Sequence, residues 1–481
     1  MSDLEARLSI RRSRFGLLLA TSLLLLNCCS DDSIASNNSE NKDHFDTGQG
    51  VDADIALDVS DTTPDAGQPD LDSLDLDIAT CWQVPLQSSI THVQPMTGIV
   101  IWEDSWNDHP VKSQPGNVQL EYAYVAPGDL SIGPGEYDWS KLDQMLDRIK
   151  AHQHQAIIRF YYTYPGRQTG VPAWIKALSS YQETTGTSEG LQTSFPDWSS
   201  QVLKDFHTDF YTAFAARYDQ DPRIAFLQTG FGLWAEYHIY DGPNRLGREF
   251  PDKEFQTTFL THLSQVLPTL PWSISIDAGD SEYSPIEANA TLRNLKFGLF
   301  DDSFMHEDHG GYNTDMWTLF GYTNRYATSP HGGEFSYYTD FDQEHVLDAG
   351  GIHGRTFQDE AAKFHLSYMI GNDQPEHQSV ARIKEAGMQT GYRFLISSFE
   401  SCAGGSTVTV ENEGVAPIYF DAFVTINGVR SGASLKGMLP GQKWTIQAAA
   451  GSAVGGQAPV LIIESDRLVA GQAIEFAADL Q

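Results

Sequence analysis

The sequence predicts an α/β protein: a (β/α)8 TIM barrel followed by a small C-terminal antiparallel β-sandwich. Three observations lead there. From about residue 97 to 370, eight short apolar runs alternate with polar and amphipathic segments. Past about residue 390 helical periodicity stops, and short β-type runs separated by turn dipeptides replace it. The 481 residues exceed one ordinary domain and suffice for a large barrel plus an accessory module.

The chain divides into four segments: residues 1–29, 30–85, 86–388 and 389–481. In the first, Arg7, Arg11, Arg12 and Arg14 precede the apolar run from Phe15 to Leu26, and Asn27-Cys28-Cys29 follows. That run is short for a membrane span and carries the flanks of a signal peptide. A Cys directly after it resembles a bacterial lipoprotein signal, which implies lipidation at Cys28, with Cys29 as the neighbouring choice. Residues 30–85 read as a disordered, Asp-rich linker. Ser30 to Cys81 holds thirteen Asp and one Glu against one Lys, with no sustained apolar period. Export followed by a tether predicts a location at the cell envelope, lipid-anchored, or outside the cell.

The barrel strands are expected at Gly98–Trp102, Val118–Val125, Ala156–Tyr162, Ile224–Thr229, Trp272–Asp277, Lys296–Asp301, His331–Phe335 and Phe364–Ile370. Helices are expected between them. In Trp139–Lys150, Leu142, Met145, Leu146 and Ile149 recur on one helical face. Gln201–Tyr218 and Glu254–Leu267 behave alike. The sandwich strands are expected at Tyr392–Ser397, Ser406–Asn412, Ile418–Ile426, Trp444–Ala448, Val460–Glu464 and Glu475–Ala478, with turns at Asn427-Gly428 and Pro440-Gly441.

Formal net charge is −34, which argues against nucleic acid and against adhesion to an anionic membrane surface, since both would repel the chain. Membrane association is expected only through the N-terminal lipid. The four cysteines, Cys28, Cys29, Cys81 and Cys402, form no CxxC or Cys/His metal spacing. Cys81 and Cys402 flank the predicted barrel, and in an oxidising compartment a disulfide between them would staple its two ends.

A barrel does its chemistry at the C-terminal ends of its strands. Those ends carry Arg159, Tyr161 and Tyr162 after the third strand, Trp234, Glu236 and His238 after the fourth, and Asp277 after the fifth. Asp302 and His306 follow the sixth, and Glu334 lies on the seventh. Cleaving a glycosidic bond needs one carboxyl to protonate the leaving oxygen and another to attack or to activate water. Glu236 and Glu334 fit that pair, because strands four and seven face each other across a barrel mouth. The flanking Arg, Tyr, Trp, His and Asp side chains suit hydrogen bonding and stacking on sugars. The run His306-Glu307-Asp308-His309 lacks HExxH spacing, so no metal and no other cofactor is expected.

Placing the two glutamates on strands four and seven resembles the large clan of retaining barrel glycosidases. A wider resemblance covers nearly everything after the linker. It rests on GEYDWSKL (135–142), the RYDQDP of 217–222, TGFGLWAEYH (229–238), Gly332-Gly333-Glu334 and Gly391-Tyr392-Arg393-Phe394. With these segments the chain is similar to a bacterial family of unassigned function, placed with the TIM-barrel glycoside hydrolases, in which a barrel precedes a small β-sandwich. That family usually reads G-x-W-G-E-W-H where this chain has Ala235 and Tyr237. The resemblance implies an exported glycoside hydrolase acting on a poly- or oligosaccharide, with Glu236 as acid/base and Glu334 as nucleophile in a retaining double displacement. The two departures keep a second class in view, a non-catalytic glycan-binding lipoprotein on a degenerate barrel. A metal-dependent hydrolase at the sixth-strand cluster is the third.

Overall fold

The computed structural model describes residues 81–451 and 458–481. The export segment with Cys28, and the linker up to residue 80, lie outside the described residues. Eight parallel strands close into a barrel in sequential order: β1 (Gly98–Trp102), β2 (Leu120–Val125), β3 (Gln155–Phe160), β4 (Ile224–Thr229), β5 (Trp272–Ser275), β6 (Gly298–Phe304), β7 (His331–Phe335) and β8 (Tyr368–Ile370), the last pairing with β1. Closure leaves no open edge in this sheet.

The strands are short and apolar because both of their faces are buried. Their outer faces meet helices, among them α1 (Ser140–Ala151), α2 (Gln201–Tyr218) and α3 (Lys253–Val266). α1 buries Leu142, Met145, Leu146 and Ile149, the stripe its spacing predicts. Ser200 caps α2 by accepting from the Leu203 amide, and Asp252 caps α3 by accepting from that of Phe255. The eighth strand is shorter than its apolar run. Phe364 ends the helix Phe357–Phe364 instead, and His365 turns out of that helix with a left-handed backbone, φ 53°.

The sandwich contains β9 (Phe394–Cys402), β10 (Gly405–Asn412), β11 (Phe423–Ile426), β12 (Val429–Ser434), β13 (Lys443–Ala448), β14 (Leu461–Glu464) and β15 (Phe476–Leu480). Its pairings are antiparallel except β9 with β15, which run parallel. β12 escapes the sequence reading because VRSGAS is mostly polar and exposed, although the turn before it, Asn427-Gly428, is present with both φ angles positive. Two short stretches ahead of the barrel also join this sheet: Trp82–Gln83 pairs with β9 and Leu86–Ser88 with β15. Cross-strand partners, rather than any local pattern, make them strands. The first pairing sets Cys81 opposite Cys402, and the two form a disulfide.

The sandwich packs on the floor of the barrel. Val100, Leu120, Ile157, Phe226 and Tyr368 from the lower barrel interior share one apolar core with Phe394, Tyr419 and Phe420. Phe226 stacks between Tyr368, 5.5 Å away, and Phe420, 6.4 Å away. The buried Arg467 guanidinium lies 4.4 Å over the Phe420 ring and donates to the carbonyl of Asp219. With the floor sealed, the opposite end is left to carry chemistry. Among the described residues no helix is long and apolar enough to cross a membrane.

Candidate active site

The loop after β4 is folded back on itself. The amides of Phe231 and Gly232 both donate to the Glu236 carbonyl, Leu233 donates to that of His238, and Trp234 to that of Thr163 at the end of β3. Gly232 lies so close to the His238 carbonyl that a Cβ would overlap it. Trp234 and Ala235 both take left-handed backbone, φ 54° and 59°, an uncommon pair for residues with side chains. Such strain persists where surrounding contacts over-determine it, and it concentrates at functional sites. Its effect here is to hold Glu236, buried, at the barrel mouth.

Strand alternation sorts the remaining candidates. On β3, Ile157, Arg159 and then Tyr161 face the interior, whereas Phe160 and Tyr162 face the helices. Arg159 is the hub of the mouth. Its Nε and Nη2 donate to Oε1 of Gln228 at 2.8 and 2.5 Å, and its Nη1 lies 3.4 Å from Oε1 of Glu236. The guanidinium sits 4.2 Å over the ring of Phe300. Gln228 also accepts from the Tyr122 hydroxyl at 2.8 Å and donates to that of Tyr368 at 2.6 Å. A buried charge is tolerable only with this degree of compensation.

Glu334 is on β7, inside the strand and buried, not on an exposed Gly-Gly turn. It and Glu236 both act on Tyr124 of β2. Burial first, then the negative charges of Glu334 and Glu236, push the Tyr124 hydroxyl well above its ordinary pKa, with Arg159 opposing them. Both carboxylates thus bear electrostatically on the same phenol.

His238 joins a further carboxylate to this group. Its Nδ1 is 2.6 Å from Oδ2 of Asp277, and its Nε2 is 3.6 Å from Oε2 of Glu236. Burial works to raise the Asp277 pKa, but the charge and hydrogen bond of His238, with hydrogen bonds from Ser275 and Tyr312, outweigh it and hold the carboxyl below its usual range. Asp302 on β6 faces inward and acts electrostatically on Arg159. Its neighbour Asp301 faces outward. It accepts from Nδ2 of Asn313 at 2.7 Å and Nε1 of Trp317 at 2.9 Å, and burial pushes its pKa up to about 7.

Arg159, Tyr161, Trp234, Glu236, His238, Asp277, Asp302 and Glu334 thus gather at the mouth. Tyr162 does not, which corrects the sequence reading. It is buried against Trp198 and its hydroxyl is 3.0 Å from Nδ1 of His207, so no sugar reaches it. His306 stands aside, bonded through Nε2 to Asn313 and packed on Tyr338. His309 turns away from it, buried between Asp301 and Glu360. Among the described residues, the groups whose atoms lie close enough together to hold a metal ion do not include these two imidazoles.

Sequence reading missed Gln228, Tyr312, Tyr368 and Tyr240 as members of the site. Gln228 left a signal, being the one amide in the apolar strand IAFLQT. Tyr240 stacks on Trp234 with centroids 6.3 Å apart and is 52% exposed, which makes it an open ring at the rim.

No family model matches the chain, and no curated protein does. Solved structures resemble the chain at low identity and low TM-score. The catalytic domain of a β-amylase from Paenibacillus polymyxa is 11% identical over 62% of this chain and 99% of that one, with a TM-score of 0.37. A β-galactosidase from Rahnella sp. R3 is 14% identical over 65% and 59%, TM-score 0.37. A glycoside hydrolase family 30 subfamily 8 xylanase from Clostridium acetobutylicum is 10% identical over 76% and 98%, TM-score 0.35. These neighbours are TIM-barrel glycoside hydrolases. The barrel of this chain is established by its own strand pairing.

Proposed function

We propose that the chain is an exported glycoside hydrolase that cleaves a poly- or oligosaccharide with retention at the anomeric carbon. The observation that carries the reading is the pair of buried glutamates, Glu236 in the loop after β4 and Glu334 on β7, at the same end of one closed barrel. Glu236 protonates the glycosidic oxygen as Glu334 attacks the anomeric carbon. A water deprotonated by Glu236 then attacks the glycosyl ester and releases the sugar. Taking that proton from the water returns Glu236 to its acid form, while His238, held by Asp277, stands beside it and orients its carboxyl. Trp234, Tyr240 and Tyr161 offer rings for sugar faces.

Export with a lipid at Cys28 belongs to the same proposal. It draws support from the Arg-flanked apolar run at the N-terminus and from the Cys81–Cys402 disulfide, a bond that persists in oxidising compartments. Radiolabelled palmitate incorporated by the expressing cells, and lost in Cys28→Ala, tests it.

One observation favours a second reading. Arg159 beside Glu236 stabilises the ionised carboxylate, which cannot protonate a leaving group. A site held in that state binds glycan without cleaving it. A glycan panel run with wild type, Glu236→Gln and Glu334→Gln separates the two. Hydrolysis by wild type that both variants lose supports the enzyme; equal binding and no turnover in all three supports the binding protein.

A further inference from the structure

A second cluster of ligating side chains stands on the outer wall of the barrel, away from the mouth. Tyr122 and Tyr124 face the interior, so Glu121, on the other side of the alternation, faces the helix layer. There it meets the chain leaving α1. His152 follows that helix directly, and His154 lies just ahead of β3. Nδ1 of His152 is 2.8 Å, and Nδ1 of His154 2.7 Å, from the same Oε1 of Glu121. One donor atom from each residue lies within 4.8 Å of the other two.

The surroundings make this more than a surface pairing. Glu121 and His154 are fully buried, while the His152 side chain keeps 25% exposure and so offers a path from solvent. Oε2 of Glu121 is buried and meets no hydrogen-bond partner. Trp106 covers both imidazoles, with ring centroids 5.4 Å from His152 and 4.5 Å from His154. A purely hydrogen-bonded triad leaves a buried carboxylate oxygen unpaired, an arrangement that costs the folded state its desolvation. A divalent cation neutralises the carboxylate and uses both ring nitrogens.

We propose that Glu121, His152 and His154 form a zinc site, supplying three positions of a tetrahedron whose fourth opens to solvent beside His152. Two imidazoles and one carboxylate are ligands that zinc accepts, and ligands about 2.0–2.1 Å from the metal stand about 3.3 Å apart. The two nitrogens reach that spacing from Oε1 by parting about half an ångström, a small side-chain adjustment. The sequence shows only an H-x-H pair, and the third ligand lies 31 residues before His152. The metal's place, between the end of α1, β2 and the start of β3, gives it a bracing role in the barrel wall.

The test uses the full chain, dialysed against EDTA, exposed to zinc sulfate and desalted, with bound metal counted by mass spectrometry. Wild type is expected to retain about one equivalent and to melt at a higher temperature with zinc than without. Cobalt(II) in its place should give the intense visible bands of a tetrahedral site. His152→Ala, which changes the most exposed ligand, should keep the wild-type circular dichroism and lose at least about tenfold in zinc affinity. Glu121→Gln should lose it too; should that variant fail to fold, His152→Ala decides alone. A folded wild type that retains no zinc overturns the proposal. So does uptake unchanged in His152→Ala, which places the metal elsewhere, for instance on the acidic N-terminal segment.

Discussion

The two ends of the barrel interior are made from the same strands and differ in almost every other respect. At the floor, Ile157 and Phe226 pack with Phe420 of the sandwich and the core is apolar. Two residues further along the same strands, Arg159 and Gln228 belong to a network of charges, amides and phenols. The floor has a permanent cover. The mouth has only rings and loops around it, and its polar groups are compensated by one another. The contrast teaches how narrow the boundary between apolar packing and polar network is: one step of the two-residue period, about 6.6 Å along a strand, separates them.

The sharpest way to break the contrast is to change one group at each end. At the mouth, Glu334→Gln should lower the hydrolysis rate by about 10³-fold or more while leaving the melting temperature near wild type. Equal activity, measured on whichever glycan the wild type cleaves, would remove Glu334 from the mechanism. At the floor, Phe420→Ala should cost about 3–5 kcal/mol in denaturant unfolding, with KM unchanged in the fraction that remains folded. A loss of activity without loss of stability there would mean that floor and mouth are not separable.

A third variant sharpens the boundary between them. Gly232→Ala places a methyl against the His238 carbonyl and must move the loop that holds Glu236. The rate should fall about hundredfold, the penalty of misplacing a catalytic group by about an ångström. Binding of the glycan should suffer less, as isothermal calorimetry with the variant can show.

The smallest effect concerns pH. His331 on β7 faces the helix layer, donates from Nδ1 to the Phe364 carbonyl, and is held neutral by burial with its pKa near 3. Its folded pKa lies below the unfolded value of about 6.5, so the folded state binds fewer protons between the two. Its contribution is complete above about pH 6.5 and is lost as pH falls toward 3. His331→Gln keeps a donor and removes the titration. Relative to wild type it should gain about 1.4 kcal/mol per pH unit through that window, read from denaturant midpoints at pH 6.5, 5.5 and 4.5.

Most of the architecture was legible because barrel strands and their helices leave strong periodic signals. β1, β4 and β7 and the helix Gln201–Tyr218 have the bounds that the pattern predicts. Trp82–Gln83, Leu86–Ser88 and β12 were not legible, since their pairing partners lie far along the chain or their residues are polar. The site was legible at the level of residue type and strand end. Tyr162 was misread because adjacent tyrosines were both assigned to the mouth, although a strand sends neighbours to opposite faces; the same rule separates Asp302 from Asp301. The Glu121 cluster escaped because two faces of one strand, β2, serve two unrelated assemblies.

On the proposed mechanism, Glu236 and Glu334 act together on a glycosidic bond with retention. The direct measurement is proton NMR of the first products released from a glycan that the wild type cleaves, before mutarotation scrambles them. The prediction is a first-formed anomer of the same configuration as the substrate linkage, absent with Glu334→Gln. A first-formed anomer of opposite configuration, or cleavage that survives the loss of both carboxyl groups, would contradict it.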